Sequence, residues 1–355
     1  MGTTSKRPTI YDVAREAGVS ANTVSRVING KSGVGDATRL RIHQVIDALG
    51  YHPHMGARAL RGHQGRCVGV VQAARPDDMP LSHFFMVWLL GELQRVFGEA
   101  GERICFDMNP LAGSPGVDYA RSVWENLFSA CVIASPLPLG DRVIERLHAS
   151  GIPYLVFGRL DTFPECSAAT ADYEGGAYTC TKYLVDRGHQ SIAMLRAFPN
   201  YQPGVDRRRG YLRALCEAGL EPSERLIQSV NFRSTDNAHI VHRLLVDERV
   251  TALVDCSGTE DSWSIREGAR RAGRTPGKDF EIVVWTYSND TAVMREACAH
   301  LWLPVREAAA EGLELLAAWH RGERQGPINL QYAPALFETM PNLEITHQNR
   351  LFGQL

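Results

Sequence analysis

Hydrophobic residues in the first fifty positions recur at helical spacing, and from residue 67 onward they give way to short continuous apolar runs. In Thr9–Asn29 (TIYDVAREAGVSANTVSRVIN), Ile10, Val13, Ala14 and Ala17 fall at i, i+3, i+4 and i+7 and share one helical face. Thr9 and Asp12 read as a capping-box-like pair at the start, and Gly18 supplies the left-handed residue that ends the helix. Ser20 caps a second helix, with Val19 and Val24 in the staple positions that fix the chain's entry angle. Along it Val24, Val27 and Ile28 point inward, whereas Ala21, Asn22, Ser25, Arg26 and Asn29 point outward. A third helix from about Asp36 to Leu49 sets Ile42, Val45, Ile46 and Leu49 on one face and stops at Gly50, closing a small all-α helix-turn-helix head. The Gly-rich GKSGVGD before it is no phosphate cradle, because no strand precedes it and no G-K-[ST] ends it.

From Cys67 the runs CVGVVQ, ICFDM, ACVIAS, PYLVFGR, IAMLRAF, TALVDCS and EIVVWT alternate with amphipathic stretches such as Phe84–Ala100, Gly175–Arg187, Asp206–Ala218 and Ser262–Ala272. Continuous apolar strands between helices predict parallel sheets covered on both faces. The strands are too many for one small sheet, so the pattern predicts an α/β body of two Rossmann-like lobes with a cleft at the strand ends. No G-x-G-x-x-G follows the first strand, which argues against a dinucleotide, and no cofactor is expected. Between head and body, Pro53 and Gly62 bound a segment shorter than the ~12–15 residues an isolated helix needs, further weakened by Gly56. The chain therefore reads as a head (1–50), a hinge or linker (51–64) and a body (65–355).

Charge sharpens that division. Residues 1–66 carry ten Lys/Arg against four Asp/Glu, while the remainder carries 28 against 36. A small basic head on an acidic body is the distribution of a DNA reader with a second module. The outward face of the second helix suits the major groove: Asn pairs with adenine and Arg with guanine in bidentate fashion, and cap hydroxyls reach phosphates. The eight cysteines are scattered without a C-x-x-C pair and lie mostly in apolar runs, so buried free thiols in a reducing compartment are expected. No apolar run reaches the ~18 residues of a membrane span and MGTTSKRPT has no signal core, which predicts a cytoplasmic, nucleoid-associated protein.

The run VSANTVSRVING, continued by DATRLRIHQVIDALGYHP, resembles the LacI/GalR (lactose repressor) family of bacterial transcription regulators over the first sixty residues, and less tightly over most of the rest. The resemblance implies DNA contacts at Thr9, Tyr11, Ser20, Ala21, Asn22, Thr23, Ser25, Arg26, Asn29, Tyr51, Ala57 and Leu60. It implies that the linker becomes a helix on operator binding, with Leu60 pressed into the minor groove as an apolar wedge. His54 departs from the Asn common there. For the body it implies the periplasmic-binding-protein-like fold, with crossings between lobes near Gly158–Asp161, near Thr286–Asn289 and after His320. One lobe then spans about 65–160 and 290–320, and the other about 161–288 and 321–345.

A small-molecule effector, a sugar or related metabolite, is implied between the lobes, with contacts at Phe84, Phe85, Arg159, Asp172, Arg207, Gly258 and Trp285. Arg207 carries the strongest correspondence, standing three residues before Gly210 in DRRRGY. Asp172 is followed by Tyr173 where relatives carry Asn, Gly258-Thr259 replace Asn-Asp, and Thr286 replaces Asp after the last strand. Losing those hydrogen-bonding groups points to an effector less hydroxyl-rich than a typical sugar, or one stacked on Trp285. Paired hinges and near-palindromic operators call for a homodimer, and the C-terminus lacks a tetramer-forming leucine heptad. A solute-binding protein of a transport system shares such a body but should begin with a secretion signal. An enzyme is disfavoured: no nucleophile elbow, P-loop, H-E-x-x-H helix or clustered metal ligands occur.

Overall fold

The local signals at the start of the chain fold as their residue types require. In the computed structural model, which describes residues 8–28, 31–51, 67–75, 78, 84–109, 111–112, 114, 116–230, 237–257, 262–287 and 295–338, the first helix is α1 (Ile10–Ala17). Thr9 and Asp12 cap it reciprocally, and Gly18 ends it in the left-handed conformation. Helix α2 (Ala21–Ile28) starts where the Ser20 hydroxyl accepts from the Thr23 amide at 3.1 Å. Helix α3 (Asp36–Leu49) ends at the left-handed Gly50. Val13, Ala14, Ala17, Val24, Val27, Ile42 and Tyr51 form the head's own core. The chain divides into two units, residues 1–65 and 66–355.

Among the described residues the body holds two sheets of six strands each. The first runs β11 (Asn329–Tyr332), β5 (Ala168–Ala171), β4 (Tyr154–Phe157), β3 (Ala130–Ile133), β1 (Cys67–Val71), β2 (Arg103–Asp107), all parallel. Helices α4 (Phe84–Leu93), continued by a π turn over Gln94–Gly98, α5 (Arg121–Trp124) and α6 (Val143–Ala149) connect its strands. The second sheet runs β12 (Ala335–Phe337), β10 (Ala299–Trp302), β9 (Glu281–Thr286), β8 (Ala252–Cys256), β6 (Ile192–Arg196), β7 (Ile227–Ser229). It is parallel except for the antiparallel pair β10–β12. Its helices are α7 (Tyr173–Asp186), α8 (Gln202–Glu217), α9 (Asn237–Val246) and α10 (Ser262–Arg271), while α11 (Val305–His320) packs back on the first sheet through Leu313 and Leu316. Alternate residues of each strand feed opposite faces, as Met194 and Leu195 do on β6, so each sheet is buried between two layers of helix.

The lobe boundaries differ from the expected ones. Strand β5 pairs with β4, so the chain does not cross at 158–161 but after Ala171, and Asp172 opens the second lobe by capping α7. Strand β10 pairs with β9, which moves the second crossing from 286–289 to the stretch between Trp302 and Val305. The last crossing lies at Ala333–Pro334, since β11 still belongs to the first sheet and β12 to the second. The reason is compositional: AATA is made of small residues and AHLW is interrupted by His300, so neither four-residue strand carries the continuous apolar run that marks the others. The free-thiol expectation is corrected at one pair. Cys67 and Cys105 form a disulfide because adjacent strands β1 and β2 bring their Cα atoms to 6.4 Å. The other six cysteines are free, and burial pushes the Cys131 and Cys166 thiols up to about 12.

Candidate functional site

On the head, the apolar side of α2 is buried at Val24 and Val27, which leaves the opposite side to Asn22 and Arg26, both exposed, with Ala21, Thr23 and Ser25 at its edges. Thr9 and Ser20 are exposed caps, and Tyr11 is 68% exposed. Arg26 also donates to the Ser32 carbonyl, and left-handed Gly33 leaves room for it, since a Cβ there would lie 2.7 Å from the guanidinium. Tyr51 differs from the expected contact: it is 7% exposed and packs in the head core. Asn29, Ala57 and Leu60 lie outside the described residues.

In the body, parallel strands bring their carboxyl ends to one edge of each sheet, and the lobes meet there. The Tyr201 hydroxyl donates to Asp78 at 2.6 Å and accepts from the Arg75 amide at 3.1 Å. Arg159, after β4, pairs with Asp206 of α8 at 2.9 Å and with Asp161 beside it. Gln202 donates to Asp161 at 2.9 Å and to Asp206 at 2.8 Å, and Arg209 reaches Asp161 at 2.7 Å. Burial holds the Asp206 carboxyl above its usual range despite Gln202, Arg159 and Arg209, whereas Asp161, less buried, lies below its usual range through Arg209 and Arg159. Arg159 is thus committed to protein carboxylates across the lobe seam.

One residue further along α8 the environment reverses. Arg207 is 2% exposed, the bulkiest fully buried side chain among the described residues, and its guanidinium carbon lies 4.9 Å from the Tyr173 ring centre, 5.2 Å from that of Trp285 and 5.7 Å from that of Phe198. It donates to the Ala197 carbonyl and the Tyr287 hydroxyl, each at 3.3 Å, and its Nε has no hydrogen-bond partner. No carboxylate among the described residues pairs with it. Burial raises Tyr173 and Tyr287 above the usual tyrosine value and pushes Cys256 up to about 12, so all three face the guanidinium as neutral groups at neutral pH. Phe198 follows β6 with φ 58°, a backbone region that bulky side chains avoid. Gly204 allows this approach, because a Cβ there would sit 1.9 Å from the Phe198 carbonyl oxygen.

The structure therefore gathers Arg207 and Trp285 in one cage, places Arg159 in the adjoining seam, and gives Asp172 the task of capping α7 through the Gly175 amide at 2.8 Å. Trp285 does not present a free stacking face; it lies against Tyr173 at 6.2 Å and donates to the Cys180 thiol. Phe85 is a core residue set edge-on to Phe157 at 5.4 Å. The Phe84 side chain and Gly258 lie outside the described residues. Sequence reasoning missed Phe198, Tyr201, Gln202, Asp206 and Tyr287; the available signal was an aromatic residue within two positions of the end of each of β6 and β9.

A basic helix-turn-helix head followed by two lobes of periplasmic-binding-protein type defines a class of ligand-responsive DNA-binding regulators. Residues 9–54 match the model of bacterial regulatory proteins of the lacI family, and residues 108–295 match periplasmic binding proteins and the sugar binding domain of the LacI family. The chain belongs to the LacI family: it is a DNA-binding transcription regulator and not an enzyme. It is 32% identical over 256 residues to the HTH-type transcriptional repressor PurR of Vibrio atlanticus (strain LGP32), covering 69% of this chain and 72% of that one. It is 28% identical to the HTH-type transcriptional regulator CelR of Thermobifida fusca, over 92% of this chain and 95% of the relative. Among solved structures, the transcriptional regulator CelR–cellobiose complex superposes with a TM-score of 0.64 at 25% identity, covering 93% of this chain and 98% of that one. The lac repressor dimer bound to operator and the anti-inducer ONPF superposes with a TM-score of 0.72 at 20% identity, over 93% and 98%, a likeness of fold.

Proposed function

We propose that the protein acts as a homodimer that represses transcription from a pseudo-palindromic operator, and that a small-molecule effector, a sugar or related metabolite, bound between the lobes at Arg207 sets its operator affinity. The observation that carries the reading is the polar face of α2, with Asn22 and Arg26 exposed over a core of Val24 and Val27, on a head richer in basic than acidic residues. The named relatives support it: CelR is solved with cellobiose and the lac repressor as a dimer on its operator. An exposed apolar strip on α4, Val87 at 60% and Leu90 at 47%, suits burial against a second copy. In this reading Asn22 and Arg26 contact bases, Thr9, Tyr11 and Ser20 hold the backbone, and Leu60 wedges the minor groove. The protein works on the chromosome in the cytoplasm; among the described residues no helix is long and apolar enough to cross a membrane.

The test is operator selection by the full-length protein from a random duplex pool, followed by anisotropy titration. Asn22→Ala and Arg26→Ala are expected to weaken the selected palindrome by about 1–3 kcal/mol each and to relax preference at one position per half-site. Leu60→Ala is expected to weaken specific binding while sparing salt-dependent binding to random DNA. Equal binding to every fragment at moderate salt would overturn the reading.

A further inference from the structure

Arg207 offers five N–H donors, and the described residues accept two hydrogen bonds from them, each at a long 3.3 Å to a neutral oxygen. The surrounding rings contribute cation–π attraction but no counter-charge. The preceding residue, Asp206, turns its carboxylate away into the seam, where it meets Arg159 and Gln202. Arginine keeps its charge, and an unpaired buried charge is strongly unfavourable, so a helix that needed only a packed wedge at this position would be better served by Leu or Met. The left-handed Phe198 is a second unfavourable feature of the same cage, and such strain gathers at ligand clamps. Both features make sense together if the missing counter-charge arrives from outside.

Its chemistry follows from the cage. A guanidinium fork is matched by a planar group with two acceptor oxygens in one plane, which is a carboxylate. Arg207 carries one uncompensated positive charge, while the arginines of the seam, Arg159 and Arg209, are already committed to Asp161 and Asp206, and Arg196 on β6 donates to the Gly204 carbonyl. The walls beside the fork are aromatic, so the atoms next to the acid group face rings rather than hydrogen-bonding groups. Resting on the reading that the effector binds between the lobes, we propose that this effector is a small organic acid whose single carboxylate is received by Arg207 within the Tyr173–Phe198–Trp285 cage.

The probe is formate, the smallest planar carboxylate, with formamide as its neutral counterpart. Full-length protein is melted in sodium formate and in sodium chloride of equal ionic strength, alongside Arg207→Met. Wild type is expected to gain about 3 °C or more, saturably, in formate over chloride, with formamide inert and Arg207→Met unresponsive. Arg207→Met in chloride is expected to melt no lower than wild type. Coincident wild-type curves in formate and chloride, an equal response to formamide, or an equal formate response in Arg207→Met would overturn the proposal. So would an Arg207→Met protein that melts more than about 5 °C lower or fails to fold, because the guanidinium would then be a structural rivet. Operator selection needs no formate: if a palindrome is held while formate has no effect, the acid fails and the regulator stands; if no palindrome is held, the regulator reading fails first.

Discussion

Two neighbouring residues on one helix lead into opposite environments. Asp206 enters the seam between the lobes, where Arg159, Arg209 and Gln202 answer its charge, and the cluster joins both lobes with protein groups alone. Arg207 enters a cage in the second lobe where aromatic rings surround it and no described carboxylate does. The seam's charges are met by protein groups, whereas none of the described carboxylates pairs with the guanidinium in the cage. The two regions share the start of α8, so a change in one is felt in the position of the other.

The largest expected effect comes from removing that shared support. Gly204→Ala sets a Cβ 1.9 Å from the Phe198 carbonyl, a backbone clash that no rotamer relieves, and is expected to cost about 3 kcal/mol in urea unfolding while disturbing both regions. Next, Asp206→Ala is expected to cost about 2 kcal/mol, because it leaves Arg159 facing Asp161 alone, with partial access to water, while Arg209 keeps both Asp161 and Glu174. A double-mutant cycle then separates the regions: Arg159 with Asp206 is expected to couple by about 1 kcal/mol, and Arg207 with Asp206 by less than about 0.5 kcal/mol. Equal couplings would erase the distinction. The smallest effect concerns His300, 4% exposed on β10 with an unpartnered Nδ1. Unlike Arg207 it can shed its charge, and burial lowers its pKa from the ordinary 6.5. The folded state then binds less proton than the unfolded chain below that value, so stability is flat above about pH 7 and falls as pH drops through 6.5. A melting series from pH 7.5 to 5.5 should lose part of its slope in His300→Leu.

Much of the fold was legible because strong signals lie on local spacing. Thr9, Gly18 and Gly50 mark helix ends that the structure reproduces, and strands such as CVGVV and EIVVWT announce themselves by continuous apolarity. The lobe crossings were misplaced because AATA and AHLW owe their strand character to pairing with distant segments. Arg207 was found through its spacing from Gly210, a glycine that α7 requires since a Cβ would lie 2.0 Å from the Glu174 carbonyl. The seam was not, because Asp161, Gln202 and Asp206 meet only through the three-dimensional approach of two lobes and share no periodicity.

The stretch from Asn329 to Phe337 gives its first strand to the rim of one sheet and its second to the rim of the other, with Ala333–Pro334 as the thread between. A chain cut just before it would bare β5 and β10 along their full length, two open borders that invite self-association. This short ribbon is a selvage for both halves of the body, and shortened versions of the protein that omit it should aggregate rather than merely soften.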